Sequence, residues 1–167
     1  FDRVGTTFTE VGILTGTYAS DLNDNFGQSI ACSADGNTIV VGSNNDEVVG
    51  SGNSSGVVYV FDRVGNDFNE VGILTGTYAF QIDDNFGISV ATSADGNTIV
   101  VGASGDEFGP YDASGVVYVF DREYTVGIGT TFTEVGILTG SNANDLNDSF
   151  GISVATSADG NIIVVGA

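Results

Sequence analysis

The clearest structural signal in this chain is Phe86-Gly-Ile-Ser-Val-Ala-Thr-Ser-Ala-Asp-Gly-Asn-Thr-Ile-Val-Val-Gly-Ala103. An Asp-Gly pair separates its two apolar runs. This is a strong β-hairpin signal, because Gly tolerates the positive φ of a tight turn. The run Ile99-Val100-Val101 does not alternate with polar residues, so we expect a strand covered on both faces. The stretch therefore predicts a hairpin that packs between other sheets.

The chain is built from internal repeats. The hairpin motif occurs at 26–43, 86–103 and 150–167. Gly-Val-Val-Tyr-Val-Phe-Asp-Arg occurs at 56–63 and 115–122, and Phe-Thr-Glu-Val-Gly-Ile-Leu-Thr-Gly occurs at 8–16 and 132–140, with one change at 68–76. Each unit thus offers four candidate strands in a fixed order, joined by short connections and one variable loop (44–55 and 104–114).

Four antiparallel strands per repeat is the pattern of a β-propeller blade. We predict an all-β fold without helices, in which four-stranded antiparallel blades follow in tandem as one β-propeller-like repeat array over 1–167. The extra residues from Glu123 to Gly129 should lengthen a hairpin loop. The predicted parts are an outer strand of a preceding blade at 1–16, full blades at 26–76 and 86–140, and the first hairpin of a following blade at 150–167.

The charge is strongly acidic and excludes several kinds of partner. Against 22 Asp and Glu there are three basic residues and no His, for a net charge of −19. Nucleic acid and anionic lipid both require a basic surface, so we expect neither as a partner. No apolar run approaches the ~20 residues of a membrane-spanning helix. No signal peptide is visible and the chain starts at Phe1, so we expect a processed or partial chain.

The residue types argue against an enzyme. Without His or Lys, and with a single Cys, most nucleophile–base pairs cannot form. Cys32 takes the place that Thr92 and Thr156 hold in the other repeats, and we expect a small buried side chain there. A glycosidase would need two carboxylates in different environments. The acids here recur once per repeat, as structural residues do, so we predict no catalytic residues.

The motifs resemble those of a known family. Phe-Gly followed by Ser-Val-Ala and Val-Val-Gly-Ala is similar to FG-GAP repeats, which build the propeller of integrin α subunits and occur in many secreted bacterial proteins. The resemblance implies a propeller fold and an extracellular or cell-surface location. In integrin-type repeats a calcium loop separates the first two strands. Here that place holds only Ser-Ala-Asp-Gly-Asn, too short to supply ~6–8 oxygen ligands, so we predict no cofactor and do not transfer that site.

Two acidic clusters per repeat are weak calcium candidates. One precedes each Phe-Gly, as in Asp21-Leu-Asn-Asp-Asn25, and the other starts the variable loop, as in Asp46-Glu47. In the alternative interpretation, these carboxylates accept backbone N–H bonds in Asx-type turns. The candidate ligands are Asp21, Asn23, Asp24, Asp46, Asp84, Asp106, Asp145 and Asp148.

Arginine and asparagine supply the other candidate sites. Arg3, Arg63 and Arg122 each follow Phe-Asp, and we expect structural ion pairs with the preceding Asp or a cross-strand Glu rather than a row of anion sites. Asn53-Ser-Ser and Asn147-Asp-Ser are N-glycosylation sequons, suitable if the source has that machinery.

These observations lead to two functional hypotheses. The first is a non-enzymatic extracellular structural protein whose copies join head to tail, by strand or blade complementation, into a surface fibre or scaffold. The alternative is a fragment of a closed β-propeller that binds a protein or glycan partner through its variable loops, as an adhesion module. Loops that vary on a constant framework are where recognition usually resides.

Overall fold

The computed structural model describes residues 1–20, 23–47, 53–107, 114–141 and 148–167. These ranges contain β-strands and no helix, which confirms the all-β prediction. The strands are β1 (Asp2–Val4), β2 (Thr7–Thr9), β3 (Phe26–Cys32), β4 (Thr38–Ser43), β5 (Val57–Val64), β6 (Asp67–Leu74), β7 (Phe86–Thr92), β8 (Thr98–Ala103), β9 (Val116–Thr125), β10 (Gly129–Leu138), β11 (Ser153–Thr156) and β12 (Ile163–Gly166).

The strands form two full antiparallel sheets and two short hairpins. Sheet 1 has the order β3-β4-β5-β6, and sheet 2 has the order β7-β8-β9-β10. The short hairpins are β1-β2, before sheet 1, and β11-β12, after sheet 2. All pairings join strands that are consecutive in sequence. This is the up-and-down arrangement of propeller blades, and the sheets do not close into a ring in the described part of the chain.

The Asp-Gly turn has a side-chain network that explains its recurrence. Asp35 accepts hydrogen bonds from the Ser33 hydroxyl (2.6 Å) and from the backbone N–H of Asn37 (3.0 Å). Gly36 has φ +71°, a conformation that favours glycine. The same contacts surround Asp95 and Asp159. These carboxylates therefore fix the hairpin, and their hydrogen bonds hold their pKa values below the usual range.

The inserted residues between β9 and β10 do not form a longer loop, contrary to the sequence prediction. They lengthen the two strands instead, because Tyr124 pairs with Thr130 and Thr125 with Gly129. The connecting turn is short, and Val126 at its tip is 88% exposed. The insertion thus extends the hairpin away from the core as paired β-structure.

The middle strands of both sheets are covered on both faces, as the apolar runs predicted. Val40 and Val41 point to opposite faces of β4, and both are buried. The same holds for Val100 and Val101 in β8. Val40 belongs to the core between sheets 1 and 2, whereas Val41 belongs to a core on the other side of sheet 1. The hairpin is therefore packed between neighbouring units.

Candidate functional site

The packing of one unit on the next is the main repeated feature of the molecule, and the junction between sheets 1 and 2 joins the two full sheets. We call the face that a sheet turns toward the next sheet its forward face, and the opposite one its backward face. The forward face of sheet 1 includes Val40, Val58 and Val60, and the backward face of sheet 2 includes Ile99 and Val101. β7 packs against β3, β4 and β5, and β11 packs on β7 and β8 in the same way.

Backbone and hydroxyl hydrogen bonds cross each junction at equivalent places. The Ser29 hydroxyl donates to the carbonyl oxygen of Gly87 at 2.7 Å, and Ser89 donates to Gly151 at 2.7 Å. The N–H of Ala34 donates to the carbonyl oxygen of Ala94 (2.8 Å). Ala94 N–H does the same to Ala158 (2.9 Å). The two junctions are thus built from the same contacts.

The Phe-Gly motif lies at this junction. Gly87 has φ +86° and follows the buried Phe86, at a register shift in the pairing of β7 with β8. A Cβ at Gly87 would lie 2.9 Å from Val58 Cγ2, and a Cβ at Gly42 would lie 2.1 Å from the Gly87 carbonyl oxygen. Glycine is therefore required on both sides, because the two backbones approach each other closely.

An ion pair joins each sheet to the preceding unit. Arg63 donates from both Nη atoms to the Asp2 carboxylate, at 2.7 and 2.6 Å. Arg122 binds Asp62 in the same two-point manner. The expected partners, the preceding Asp or a cross-strand Glu, were wrong: the partner is the Asp of the neighbouring repeat. Both motif residues thus act across a junction, the Arg toward the preceding unit and the Asp toward the following one.

The outer strands add a second polar contact at each junction. The N–H of Thr17 donates to Glu70 Oε2 at 2.9 Å and its hydroxyl to Oε1 at 2.6 Å. Thr77 contacts Glu134 in the same way, at 3.0 Å for both bonds. These glutamates therefore lie opposite a threonine that follows the fourth strand of the preceding unit.

The β1-β2 hairpin and sheet 2 also carry residues equivalent to those in the junction contacts. Arg3 donates to the carbonyl oxygen of Gly5 at 2.7 Å and lies over the Phe8 ring. Asp121 accepts from the Thr98 hydroxyl at 3.4 Å. Among the described residues, Arg3 and Asp121 form no ion pair. Phe8 is 63% exposed, although its equivalents Phe68 and Phe132 each cover a glycine of the preceding unit.

An apolar groove of about 520 Å³ opens on the backward face of sheet 1. Ile30, which lines the groove, is 72% exposed. Cys32 also lines the groove and is exposed, so the expectation of a buried thiol was wrong. The alternation along β3 places Cys32 on the backward face, and no sheet in the described ranges covers β3 as sheet 1 covers β7. The lining residues are Leu14, Ile30, Ala31, Cys32, Ile39 and Val41.

A buried carboxylate–tyrosine pair anchors each variable loop. Asp46 accepts a hydrogen bond from the Tyr59 hydroxyl at 2.5 Å, and its carbonyl oxygen accepts from Gly56 N–H at 3.0 Å. Asp106 has the same relation to Tyr118 and Gly115. Burial raises the pKa of Asp106 to about 6, although the tyrosine opposes this shift. The pair therefore holds the base of the loop in the same way in both full repeats.

The two predicted acidic clusters of each repeat lie close together. Burial raises the pKa of Asp84 to about 7, and the negative charge of Asp106 contributes to this shift. Burial likewise raises the pKa of Asp46, with a contribution from Asp24. Asp84 also accepts from the N–H of Gln81 at 2.6 Å.

Across the ranges that the structure describes, no group of three or more His, Cys, Asp or Glu residues could hold a metal ion. Asn23 lies exposed in the turn before β3, and Asp148 is half-buried before the third Phe-Gly. Asp21, Asp145 and the sequon Asn147 lie outside the described residues. Asn53 lies in the variable loop, where its Nδ2 donates to the carbonyl oxygen of Phe80 at 2.8 Å.

The strand order and the repeated junctions define a tandem array of β-propeller-like blades. The FG-GAP repeat family model matches residues 9–61 and 81–120, more than half of the chain. The chain belongs to the FG-GAP repeat family, as its motifs indicated. FG-GAP repeats are typical of extracellular or surface proteins. No curated protein matches the chain. No helix in the described ranges has the length and apolar character needed to span a membrane.

Proposed function

We propose that this chain is a non-enzymatic, extracellular structural module whose copies associate head to tail into a surface fibre or scaffold. The observation that carries the proposal is the repeated junction. Asp2 with Arg63, and Asp62 with Arg122, join successive units, while Asp121 and Arg3 are the equivalent residues that form no ion pair among the described residues. A second copy placed after the first would bring its Arg3 to Asp121.

The outer aromatic contact supports the same arrangement. Phe68 covers Gly12 and Phe132 covers Gly72 at the two internal junctions. Among the described residues, only Val119 lies near the Cβ position of Gly136, at 3.7 Å, and Phe8 is exposed. A following copy would place Phe8 over Gly136 in the geometry already used twice. The contact is therefore matched in residue type as well as in position.

The role of the acidic residues supports a structural function over a catalytic one. The turn carboxylates accept hydrogen bonds from their own hairpins, and Asp46 and Asp106 accept from the loop-root tyrosines. Each arrangement recurs in successive repeats. An active site is expected to be a departure from the repeat, with two groups held in unlike environments.

A charge-reversal series tests the association. In sedimentation velocity, Arg3→Asp and Asp121→Arg should each reduce self-association, and the double variant should recover it, because opposite charges again meet at the junction. Asp67→Arg, at the exposed start of β6, makes the same change in net charge as Asp121→Arg and should leave association unchanged. Electron microscopy of the native material should then show filaments. Closed rings without filaments, or a strictly monomeric chain, would refute the proposal.

The variable loops favour a second function, recognition of a protein or glycan by a closed propeller. The Asp46–Tyr59 and Asp106–Tyr118 pairs hold two loops of different sequence on the same framework, an arrangement suited to binding. Exchanging segments 47–55 and 107–114 and measuring binding on a glycan array or by pull-down tests this function. Equal binding by a protein with shortened loops would exclude it.

A further inference from the structure

We propose that the apolar groove on the backward face of sheet 1 is the docking site for the 150–167 hairpin of a second copy of this chain. The inference rests on the proposed head-to-tail association, and it assigns the apolar surfaces that form the contact. The groove is continuous with the core behind sheet 1, to which Val41 and Ile39 both belong.

The equivalent surface of sheet 2 shows what the groove is built to receive. Val90, Ile99 and Val101 on the backward face of sheet 2 are buried against the forward face of sheet 1. Their counterparts on sheet 1 are Ile30, Ile39 and Val41, and Ile30 is 72% exposed. The groove is therefore a junction surface that no first hairpin covers among the described residues.

The 150–167 hairpin carries the matching forward face. Val164 occupies the repeat position of Val40 and Val100, which are both fully buried. Val164 itself is 61% exposed, and the neighbouring Ala155, the counterpart of Ala31, is also exposed. Docking this hairpin in the groove would cover Val164 and Ile30 together.

The polar contacts of the junction also have their counterparts on these two surfaces. Ser153 stands 2.3 Å from the Cβ position of Gly166, as Ser29 does from that of Gly42. Its hydroxyl is thus oriented like that of Ser29 and would donate to the carbonyl oxygen of Gly27. No described residue lies within 4 Å of the Cβ position of Gly27, which leaves room for the approaching strand.

The net charge of −19 makes the docking of two copies depend on ionic strength. Two such copies repel each other at low ionic strength, and salt screens this repulsion over about 10 Å at 0.1 M. The groove and Val164 are apolar, so their contact does not weaken with salt in the same way. We therefore expect docking to strengthen as salt is added.

The experiment uses Ile30→Asp in the groove and Val164→Asp on the hairpin, with Val126→Asp as the matched control at an exposed apolar site elsewhere. Sedimentation velocity should show self-association weakened about tenfold or more by either of the first two changes, and unchanged by the third. Because Cys32 is the only cysteine, thiol modification reports on the groove directly. The rate of thiol modification should fall as the protein concentration rises in the parent and in the Val126→Asp control. It should stay constant in the Ile30→Asp and Val164→Asp variants.

Mixing the Ile30→Asp and Val164→Asp variants distinguishes a specific junction from nonspecific apolar association. Ile30→Asp keeps an intact hairpin and Val164→Asp an intact groove, so the mixture should form dimers with one junction and nothing longer. If the parent chain associates while both variants associate equally well and Cys32 stays reactive, the groove assignment is wrong and the proposed function stands. A parent chain that never associates overturns both. Ile30→Ser and Val164→Ser repeat the test should an Asp variant fail to fold.

Discussion

Arg63 at the end of β5 holds the carboxylate of Asp2 with two hydrogen bonds, although the two residues are 61 positions apart and lie in different sheets. The same triplet, Phe-Asp-Arg, also supplies Asp62, which binds Arg122 of the next sheet. Each triplet therefore contributes one group to the junction behind it and one to the junction ahead. A single repeated motif thereby fixes the order and the register of successive units.

A double-mutant cycle at Asp62 and Arg122 should detect this coupling. Their side chains are only 28% and 14% exposed, so we expect Asp62→Asn and Arg122→Gln each to lower the free energy of unfolding by about 1 kcal/mol. The double variant should cost less than the sum of the two. Urea unfolding at low and high salt measures this. Strict additivity would mean that the ion pair contributes nothing to the junction.

Replacing Val100 by Asp should be strongly destabilising. The side chain is fully buried between units, and an unpaired charge there should cost about 3 kcal/mol or more. Thr133→Asp, on the exposed side of β10, is the control and should stay within about 0.5 kcal/mol of the parent. Thermal unfolding of both variants measures the difference. Similar melting temperatures would contradict the burial of β8 on both faces.

Much of this architecture could be predicted from the sequence, because the signals were local and repeated. The Asp-Gly turn predicted a hairpin, and the apolar run at Val100 predicted a strand covered on both faces. The structure has both features. The partner of Arg63 could not be predicted from neighbouring residues, because it depends on which units pack together. Cys32 was misjudged because the repeat position does not itself specify burial: even Thr92, in the covered strand β7, is only half-buried.

The grouping of the acidic candidate ligands also could not be predicted from neighbouring residues. The sequence separates Asp24 from Asp46 by a whole hairpin, and only the pairing of β3 with β4 brings them together. The Asp46–Tyr59 pair was also missed. Its signal was present, since an Asp and a Tyr recur at the same places around the variable loop in both full repeats.

The buried carboxylates should make the protein less stable as the pH rises from about 4 to 7. Folding raises the pKa of Asp106 to about 6 and of Asp84 to about 7 from an ordinary 3.8, so the folded state binds more protons in this window. Stability then falls with increasing pH. Below this window stability instead rises with pH. Asp35, Asp95 and Asp159 have lowered pKa values, so the stabilisation that they give is lost on acidification.

Melting temperatures measured between pH 3 and 8 should therefore pass through a maximum in mildly acidic solution. Asp106→Asn keeps an acceptor for Tyr118 but cannot ionise, so it should flatten the decline above the maximum. Asp67→Asn, at the exposed start of β6, serves as the control and should retain the decline. A stability that keeps rising to neutral pH would show that Asp84 and Asp106 ionise without penalty.

Chelation should change the stability little. The carboxylates of the Asp-Gly turns are already saturated by hydroxyl and amide donors of their own hairpins. Scanning calorimetry with EDTA and with added Ca²⁺ measures the effect directly. A large loss of melting temperature in EDTA would instead identify the paired acids, Asp24 with Asp46 or Asp84 with Asp106, as metal sites.

Gly27 and Gly87 should respond differently to the same substitution. They occupy equivalent positions and have nearly equal φ angles, +89° and +86°, so Ala introduces the same backbone strain in both. At Gly87 the new Cβ would also lie 2.9 Å from Val58 Cγ2 and 3.1 Å from the Val57 carbonyl oxygen. At Gly27 the new Cβ would have no described residue within 4 Å.

The difference between the two variants therefore isolates the close approach of the sheets from the strain of the positive φ. We expect Gly87→Ala to lower the free energy of unfolding by about 1–3 kcal/mol more than Gly27→Ala, the usual cost of overpacking. Denaturant unfolding at low protein concentration, where copies stay apart, gives this comparison. Equal losses would mean that the glycine of the Phe-Gly motif is needed only for its φ. A larger loss at Gly87 shows that it is also needed because the next sheet packs directly against it.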